Sequence, residues 1–107
     1  MPLSRQAIRA LKAEAHRINL KPVVMIGQHG LSENVGNEIE LALVSHELIK
    51  IRIPALEKAE KQQMIETICN DYKAELVQAI GHVIVIFRQN PKIRRFVKQL
   101  KQTATAE

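Results

Sequence analysis

The chain has 107 residues, of which 46% are hydrophobic, and it carries a formal net charge of +5. This length predicts one domain with a single hydrophobic core, and the apolar fraction excludes wholesale disorder. No stretch approaches the roughly 18 uninterrupted apolar residues that a membrane span needs. The start of the chain lacks the apolar run of a signal peptide, and a lone cysteine cannot form an internal disulfide. We therefore expect a cytoplasmic protein without membrane contact.

Charges are unevenly distributed along the chain. Residues 1–22 contain five Lys or Arg and one acidic residue, and residues 82–107 contain six Lys or Arg and one acidic residue. Residues 23–81 contain five Lys or Arg and nine acidic residues. Clustered cations favour a polyanion, because phosphates that they neutralise release counterions. The basic ends therefore favour a nucleic-acid partner, and a solvated surface with a basic tail is the alternative.

The first predicted element is a helix from Ser4 to about Ile18. An apolar stripe at helical spacing runs through Ile8, Leu11 and Ala15 to Ile18, and the hydroxyl of Ser4 is a suitable N-cap. Another face of the same helix is cationic, and it is formed by Arg5, Arg9, Lys12 and His16.

Residues 23–26 form a short apolar run typical of a buried strand, and the loop at residues 27–30 (GQHG) ends it. A second helix is predicted from the N-cap Ser32 to about His46. A helix N-terminus favours an anion, and glycines allow another backbone to approach closely. A tight strand-to-helix turn would use the same glycines, so the pattern alone leaves both interpretations open.

Residues 48–53 alternate isoleucines with charged residues, which predicts a half-buried strand with Lys50 and Arg52 on its polar side. After Pro54, a third helix is predicted from about Glu57 to Asn70. The carboxylates of the second and third helices are expected to be solvated.

The last predicted strands, residues 76–80 and 83–87, are separated by two residues and should form a tight hairpin. The sequence after them is polar and basic. We therefore expect residues 1–90 to form the domain and residues 91–107 to form a basic extension that is partly disordered, with a frayed end at residues 103–107.

The predicted order of elements is helix, strand, helix, strand, helix, strand, strand. Two strand–helix–strand units imply parallel strand pairs with right-handed crossovers, which place the second and third helices on one sheet face. The final hairpin adds an antiparallel strand. The sequence thus predicts a compact two-layer α/β domain with a four-stranded mixed sheet.

Patterns for catalysis or metal binding are missing from the sequence. The four histidines have no ligand spacing, and Cys69 lies on the inward face of the third helix, where a core role is simplest. There is no P-loop or dinucleotide motif, and only three residues are aromatic, so a base-stacking platform is not expected. We expect no enzyme, no cofactor, no metal and no small-molecule substrate.

Three dispersed motifs resemble the CRM domain family, in particular its bacterial YhbY-like stand-alone members. They are residues 20–32 (LKPVVMIGQHGLS), residues 46–51 (HELIKI), and QAIG at residues 78–81 leading to VIFR at residues 85–88. The resemblance covers roughly residues 3–88. It implies an RNA-binding domain akin to the C-terminal domain of translation initiation factor three, in a family whose bacterial members associate with precursors of the large ribosomal subunit.

The resemblance also implies which residues contact RNA. The loop at residues 27–30 would be the family's RNA-contacting loop, and Arg88 would be the basic residue that closes the last strand. Family loops often carry a lysine between the glycines, and a glycine is common where this chain has Tyr72 and Lys73. Because the loop here has no fixed charge, neighbouring cations are expected to carry more of the binding. The predicted RNA-binding residues are Gly27, Gln28, His29, Gly30, Arg5, Arg9, Lys12, Lys21, Arg88, Lys92, Arg94 and Arg95.

These observations predict a monomeric, non-enzymatic protein that binds large-subunit ribosomal RNA in pre-ribosomal particles during ribosome assembly. The alternative is a protein-interaction module that docks on a ribosomal protein or on another assembly factor. Its motivation is the apolar strand at residues 83–87, which would leave an uncovered patch, and an acidic second helix. The acids of that helix region are Glu33, Glu38, Glu40 and Glu47.

Overall fold

The computed structural model of the protein describes residues 3–97, 99 and 100. The order of elements is the predicted one, and the α/β class is confirmed. The expected fraying at residues 103–107 lies outside the described residues. The elements are α1 (Arg5–Arg17), β1 (Pro22–Met25), α2 (Glu33–His46), β2 (Leu48–Arg52), α3 (Lys58–Asp71), β3 (Glu75–Ile80) and β4 (Val83–Phe87).

The four strands form one mixed sheet in the order β1-β2-β4-β3, as a four-stranded mixed sheet was predicted. β1 is parallel to β2, and β4 is antiparallel to both of its neighbours. The second predicted parallel pair is therefore not a neighbouring pair, because β4 lies between β2 and β3. All five residues of β4 are apolar, and a strand that is apolar on both sides is most stable in the interior of a sheet.

The main core lies between the sheet and the two helices α2 and α3, which cover one face as the crossover rule predicted. Ile39 and Leu43 of α2 and Ile68 of α3 meet Ile49 and Ile51 of β2, and all five side chains are fully buried. Each such residue stabilises the fold by about 1.5–3 kcal/mol relative to an exposed position. This cluster fixes the position of α2 and α3 on the sheet.

Gly36 in α2 makes room for Tyr72, the C-cap residue of α3. A Cβ at Gly36 would clash with the hydroxyl of Tyr72. The next residue, Lys73, has a φ of +52°, in the left-handed region that favours glycine. The backbone after α3 therefore has a conformation that glycine adopts without strain.

The opposite sheet face is partly covered by α1 and by residues 89–97, here called the C-terminal segment. Leu11 and Ala15 of α1 belong to the same buried cluster as Phe87 of β4 and Phe96. The rings of Phe87 and Phe96 meet edge to face with centroids 5.9 Å apart. The C-terminal segment, which spans the expected domain boundary after residue 90, thus contributes a side chain to this second cluster.

Two predictions about apolar residues near the start of the chain are wrong. Val23 and Met25 were predicted to be buried but are exposed, because β1 is an edge strand and only Val24 faces the core. Ile18 was predicted to continue the apolar stripe of α1 and is also exposed, because it follows the last helical residue. Exposed apolar side chains therefore collect near β1.

The two ends of the sheet differ on the face that α1 covers. At one end, the closed end, Leu48 of β2 lies beside Phe87 of β4, and both are buried under α1 and the C-terminal segment. At the other end, the open end, the register aligns one residue of every strand. We call these four residues the open row, and they are Met25, Arg52, Val83 and Ile80.

Candidate nucleic-acid interface

The loop at residues 27–30 joins β1 to α2 at the open end of the sheet. Gly30 has a φ of +76°, which glycine favours, and its amide donates to the carbonyl of Gly27 at 3.0 Å. Gln28 and His29 are exposed between them. A Cβ atom added at Gly27 would have no atom of the described residues within 4 Å, apart from its chain neighbours. Packing inside the protein therefore does not require a glycine at this position. The space beside Gly27 is open to the backbone of another molecule.

The N-terminus of α2 follows the loop and attracts anions to the same region. The hydroxyl of Ser32 accepts from the amide of Val35 at 3.2 Å, which confirms the predicted N-cap. Helix geometry leaves the amides of Glu33 and Asn34 without an intrahelical acceptor. These amides and the positive end of the helix dipole attract an anion, and the nearby carboxylate of Glu33 partly offsets that attraction.

The predicted basic face of α1 is solvent-exposed. The helix is capped by Ser4, whose hydroxyl accepts from the amide of Ala7 at 3.1 Å, as predicted. The opposite side of α1 packs on the sheet, so the cations point away from the core. Together with the lysine before β1, the exposed cations of this region are Arg5, Arg9, Lys12 and Lys21.

Arg88 differs from the other predicted contact residues because its guanidinium is bound within the protein. Its two terminal nitrogens donate to the carboxylate oxygens of Glu40 at 2.9 and 2.8 Å, and one of them also donates to the carbonyl of Tyr72 at 2.9 Å. The hydrogen bond with Glu40 raises the pKa of Arg88 and lowers the pKa of Glu40. Arg88 therefore ties β4 to α2 and to the end of α3.

Glu47 holds the start of the C-terminal segment. Its side chain is 0% exposed, and its two carboxylate oxygens accept from the amides of Asn90 at 2.6 Å and of Arg95 at 2.7 Å. The side-chain amide of Asn90 donates to the carbonyl of Val44 at 2.8 Å. These bonds fix the backbone of three exposed cations, Lys92, Arg94 and Arg95.

The expectation that the helix carboxylates are solvated is therefore wrong for Glu47. This residue follows the last residue of α2 with a φ of +64°, which turns the chain sharply into β2. The turn directs its side chain inward, where two backbone amides satisfy the carboxylate. The sequence contains no local signal for this role, because both amides belong to a segment more than 40 residues away.

The predicted uncovered patch along residues 83–87 is wrong for four of the five positions. Ile84, Val85, Ile86 and Phe87 are buried, because β4 is an interior strand with helices or the C-terminal segment on each side. Only Val83, at the open end, is partly exposed. The acidic surface of α2 is also smaller than expected, since two of its four carboxylates are bound within the protein.

Two groups of the predicted contact residues lie at opposite ends of α2. The loop lies at the start of α2, whereas Lys92, Arg94 and Arg95 lie beside its end, where Asn90 meets Val44. Because α2 has 14 residues at about 1.5 Å each, the two groups are about 20 Å apart. Two features of this region were not predicted from the sequence: the role of Glu47, and the position of the cation Arg52 at the open end next to the loop.

Within residues 3–97, 99 and 100, no group of three or more His, Cys, Asp or Glu side chains could hold a metal ion. No helix in the same part of the chain is long and apolar enough to cross a membrane.

Burial, and to a smaller extent the charge of Glu75, raises the pKa of the Cys69 thiol. A thiol of this kind is a weak nucleophile at neutral pH.

Known proteins resemble this chain over most of its length. The sequence pattern of the CRS1 / YhbY (CRM) domain matches residues 3–88. A Haemophilus influenzae protein named an RNA-binding protein is 42% identical over 86% of this chain and 91% of its own length. A Pseudomonas aeruginosa protein named a probable RNA-binding protein is 32% identical over 97% of this chain and 98% of its own.

The fold also matches a solved structure. The solution structure of a Staphylococcus aureus protein superposes with a TM-score of 0.72 and 35% sequence identity. The match covers 83% of this chain and 91% of that one. The family's sequence pattern, which matches residues 3–88, includes the loop, the sheet and the three helices rather than one motif alone.

Proposed function

The chain belongs to the CRS1 / YhbY (CRM) domain family, and from this membership we propose that it binds RNA, namely large-subunit ribosomal RNA in particles that are still being assembled. The two relatives named as RNA-binding proteins support RNA as the partner. The observation that carries the proposal is the exposed loop at residues 27–30, whose Gly27 has no packing role and which leads into a helix N-terminus. The protein acts by binding, as a cytoplasmic monomer, and no reaction is assigned to it.

The loop and α1 divide the binding between them. One RNA phosphate sits at the first amides of α2, and the open space beside Gly27 lets the RNA backbone approach. Other phosphates of the same RNA are neutralised by the exposed cations Arg5, Arg9 and Lys12. Because the chain has only three aromatic residues, recognition is mainly of RNA backbone and shape.

The cations of the C-terminal segment form a second contact about 20 Å from the loop. Lys92, Arg94 and Arg95 project from a backbone that Glu47 holds in place, so little ordering is required when RNA binds. Arg88 is left out of the proposed contact, because Glu40 and the carbonyl of Tyr72 occupy its guanidinium.

The salt dependence of RNA affinity tests the proposal quantitatively. Each phosphate that the protein neutralises contributes roughly 0.7–0.9 to the slope of log affinity against log salt. Reversal of two α1 cations, Arg9→Glu with Lys12→Glu, should lower affinity and reduce the slope by roughly 1.4–1.8. The matched control is Lys58→Glu with Lys73→Glu on the other side of the sheet, which changes the net charge equally. Equal effects of the two pairs, or no effect, would contradict a role for α1.

Sedimentation of cell lysate on a sucrose gradient at low magnesium tests the identity of the RNA. The native protein should migrate with free or precursor large subunits, and the Arg9→Glu/Lys12→Glu variant should move to the top of the gradient. A wild-type protein that stays at the top, although it binds ribosomal RNA when purified, would contradict the ribosomal part of the proposal and leave RNA binding intact.

A protein-interaction module that docks on a ribosomal protein or assembly factor is the second candidate. The observation in its favour is that Leu41 and Val44 of α2 are exposed, with Leu41 67% exposed. Its predicted acidic surface is reduced, because Glu40 pairs with Arg88 and Glu47 is buried. Binding to large-subunit particles that does not change with salt, and is lost in Leu41→Ser/Val44→Ser, would favour this candidate over RNA.

A further inference from the structure

The open row is a continuous surface made by all four strands. Met25 of β1 lies beside Arg52 of β2, Arg52 lies beside Val83 of β4, and Val83 lies beside Ile80 of β3. Met25 is 66% exposed and Ile80 is 64% exposed. Single exposed apolar residues are common on protein surfaces, but these two flank a cation and a third apolar residue in one line.

The next row toward the closed end extends this surface. Lys50 of β2 lies beside Val85 of β4, which lies beside Gln78 of β3. A shallow depression of about 260 Å³ lies between the two rows, lined by Lys50, Gln78, Ile80, Val83 and Val85. Among these described side chains and those of the open row there are two cations and no carboxylate. The surface therefore suits a partner that combines negative charge with flat apolar groups.

The surface is continuous with the loop at residues 27–30. Met25 precedes Gly27 by two residues, and the amide of Ile26 between them donates to the carbonyl of Arg52 at 2.8 Å. This bond holds the start of the loop against the strand that carries Arg52. A chain whose phosphate lies at the loop would have its neighbouring nucleotides next to the open row.

From this geometry we infer that the open row binds unpaired bases of the same RNA strand whose backbone lies at the loop. The inference rests on the proposed function and adds the kind of RNA. Met25, Ile80 and Val83 contact base faces, and Arg52 stacks on a base or neutralises a phosphate. A duplex hides its base faces within the stack, so the open row selects single-stranded RNA over a duplex. Recognition by aliphatic groups and a guanidinium does not depend strongly on sequence.

The test compares two probes, a labelled oligouridine and a blunt RNA duplex, by fluorescence anisotropy. Wild-type protein should bind the oligouridine more tightly than the duplex. The double variant Met25→Ser/Ile80→Ser should weaken oligouridine binding about tenfold without changing the salt slope, because no charge is removed. Its affinity for the duplex should stay the same. Both substituted positions are exposed, and urea unfolding confirms that the variant is folded.

Two control variants separate the effect of the open row from general changes. Leu41→Ser/Val44→Ser removes two exposed aliphatic side chains from α2 and should leave oligouridine affinity unchanged. Arg52→Gln should reduce the oligouridine salt slope by roughly 0.7, whereas Lys73→Gln, at the other end of β3, should not. A salt slope that falls equally in both cation variants would overturn the role of Arg52.

The possible outcomes distinguish this inference from the proposed function. If wild-type protein binds neither probe nor ribosomal RNA, the proposed function fails. If it binds the oligouridine but Met25→Ser/Ile80→Ser binds equally well, the open row is not the base-binding surface, and the proposed function stands. If that variant binds RNA normally but no longer migrates with large-subunit particles, the open row contacts a protein instead, and the inference is overturned.

Discussion

At the closed end of the sheet, the carboxylate of Glu47 accepts two backbone amides, and the adjacent Arg88 is bound by Glu40 and by the carbonyl of Tyr72. At the open end of the same sheet, Arg52 and Met25 face solvent. Each end has an arginine, but of these two only the Arg88 side chain forms hydrogen bonds with other residues in the described part of the chain. Charged residues with internal partners stabilise this protein, and exposed ones beside the loop are available to a ligand. The neighbours of a residue, more than its type, decide which role it has.

The largest effect on stability is expected at Glu47. Glu47→Ala removes the acceptor of two buried amides, so it should lower the free energy of unfolding by about 3 kcal/mol or more, while the backbone strain at its φ of +64° is the same as in wild type. Glu47→Gly loses the same hydrogen bonds without the backbone strain and should be milder by about 1 kcal/mol. Urea unfolding measures both variants.

The matched control for Glu47 is Glu38→Ala, an exposed carboxylate in the same helix. It should change the free energy of unfolding by less than about 0.5 kcal/mol. A Glu47→Ala variant that is as stable as the Glu38→Ala variant would show that the closed end does not depend on the buried carboxylate. It would also remove the main difference between the two ends of the sheet.

The second prediction concerns the contact between Gly36 and Tyr72 on the helix-covered face. Its expected effect on stability is somewhat smaller than that of Glu47 at the closed end. Gly36→Ala should lower the free energy of unfolding by about 2 kcal/mol, because the new methyl group forces Tyr72 to move. In a Tyr72→Phe variant the hydroxyl is absent, and the nearest ring atom would lie 3.4 Å from the new Cβ of residue 36, which is an ordinary contact distance. In that background Gly36→Ala should be neutral, or stabilising by up to about 1 kcal/mol through helix propensity. Additive effects in a double-mutant cycle would show that the two residues are not in contact.

The ion pair at Arg88 should have a smaller effect than Glu47, because it is partly exposed. Arg88→Gln should lower the free energy of unfolding by about 1 kcal/mol and change RNA affinity less than about twofold. Because the folded state lowers the pKa of Glu40, the pair stabilises fully above the ordinary Glu value of 4.5 and its contribution is lost as pH falls below it. The stability difference between wild type and variant should therefore shrink in acid. A large loss of RNA affinity at neutral pH would return Arg88 to the contact surface.

The smallest effect on stability is expected at the open row. Met25→Ser and Ile80→Ser should each change the free energy of unfolding by less than about 0.5 kcal/mol, since both side chains are already exposed. Their effect should appear in binding instead. If either substitution destabilises the protein as much as Gly36→Ala does, the open row supports the fold, and the contrast between the two ends disappears.

Elements with a local signal could be predicted from the sequence. The helical spacing of Leu11 and Ala15 predicted α1, the hydroxyls of Ser4 and Ser32 predicted two helix starts, and alternation along residues 48–53 predicted β2. The neighbours of β4 could not be predicted, because a hairpin can place either of its strands beside β2. The exposure of Val23 and Met25 depends on that same order of strands.

The candidate site was predictable only where its residues are close in sequence. The loop at residues 27–30 could be identified in the sequence because a strand and a helix cap flank it. Its contacts with RNA remain predictions. The partners of Glu47 and the carboxylate partner of Arg88 are 43 to 48 residues away, so no periodicity shows them. Arg52 was placed on the polar side of its strand, but its neighbours Met25 and Val83 are set by tertiary structure.

The carboxylate of Glu47 also determines where this chain can be cut or joined. The family's sequence pattern ends at residue 88, but a chain cleaved there would lose the amides of Asn90 and Arg95 and would uncover the ring of Phe87. A protease that nicks between Arg88 and Phe96 should therefore unfold the domain rather than trim it. In a gene fusion that adds a second domain to this one, we expect a stable product only when the junction lies beyond Phe96.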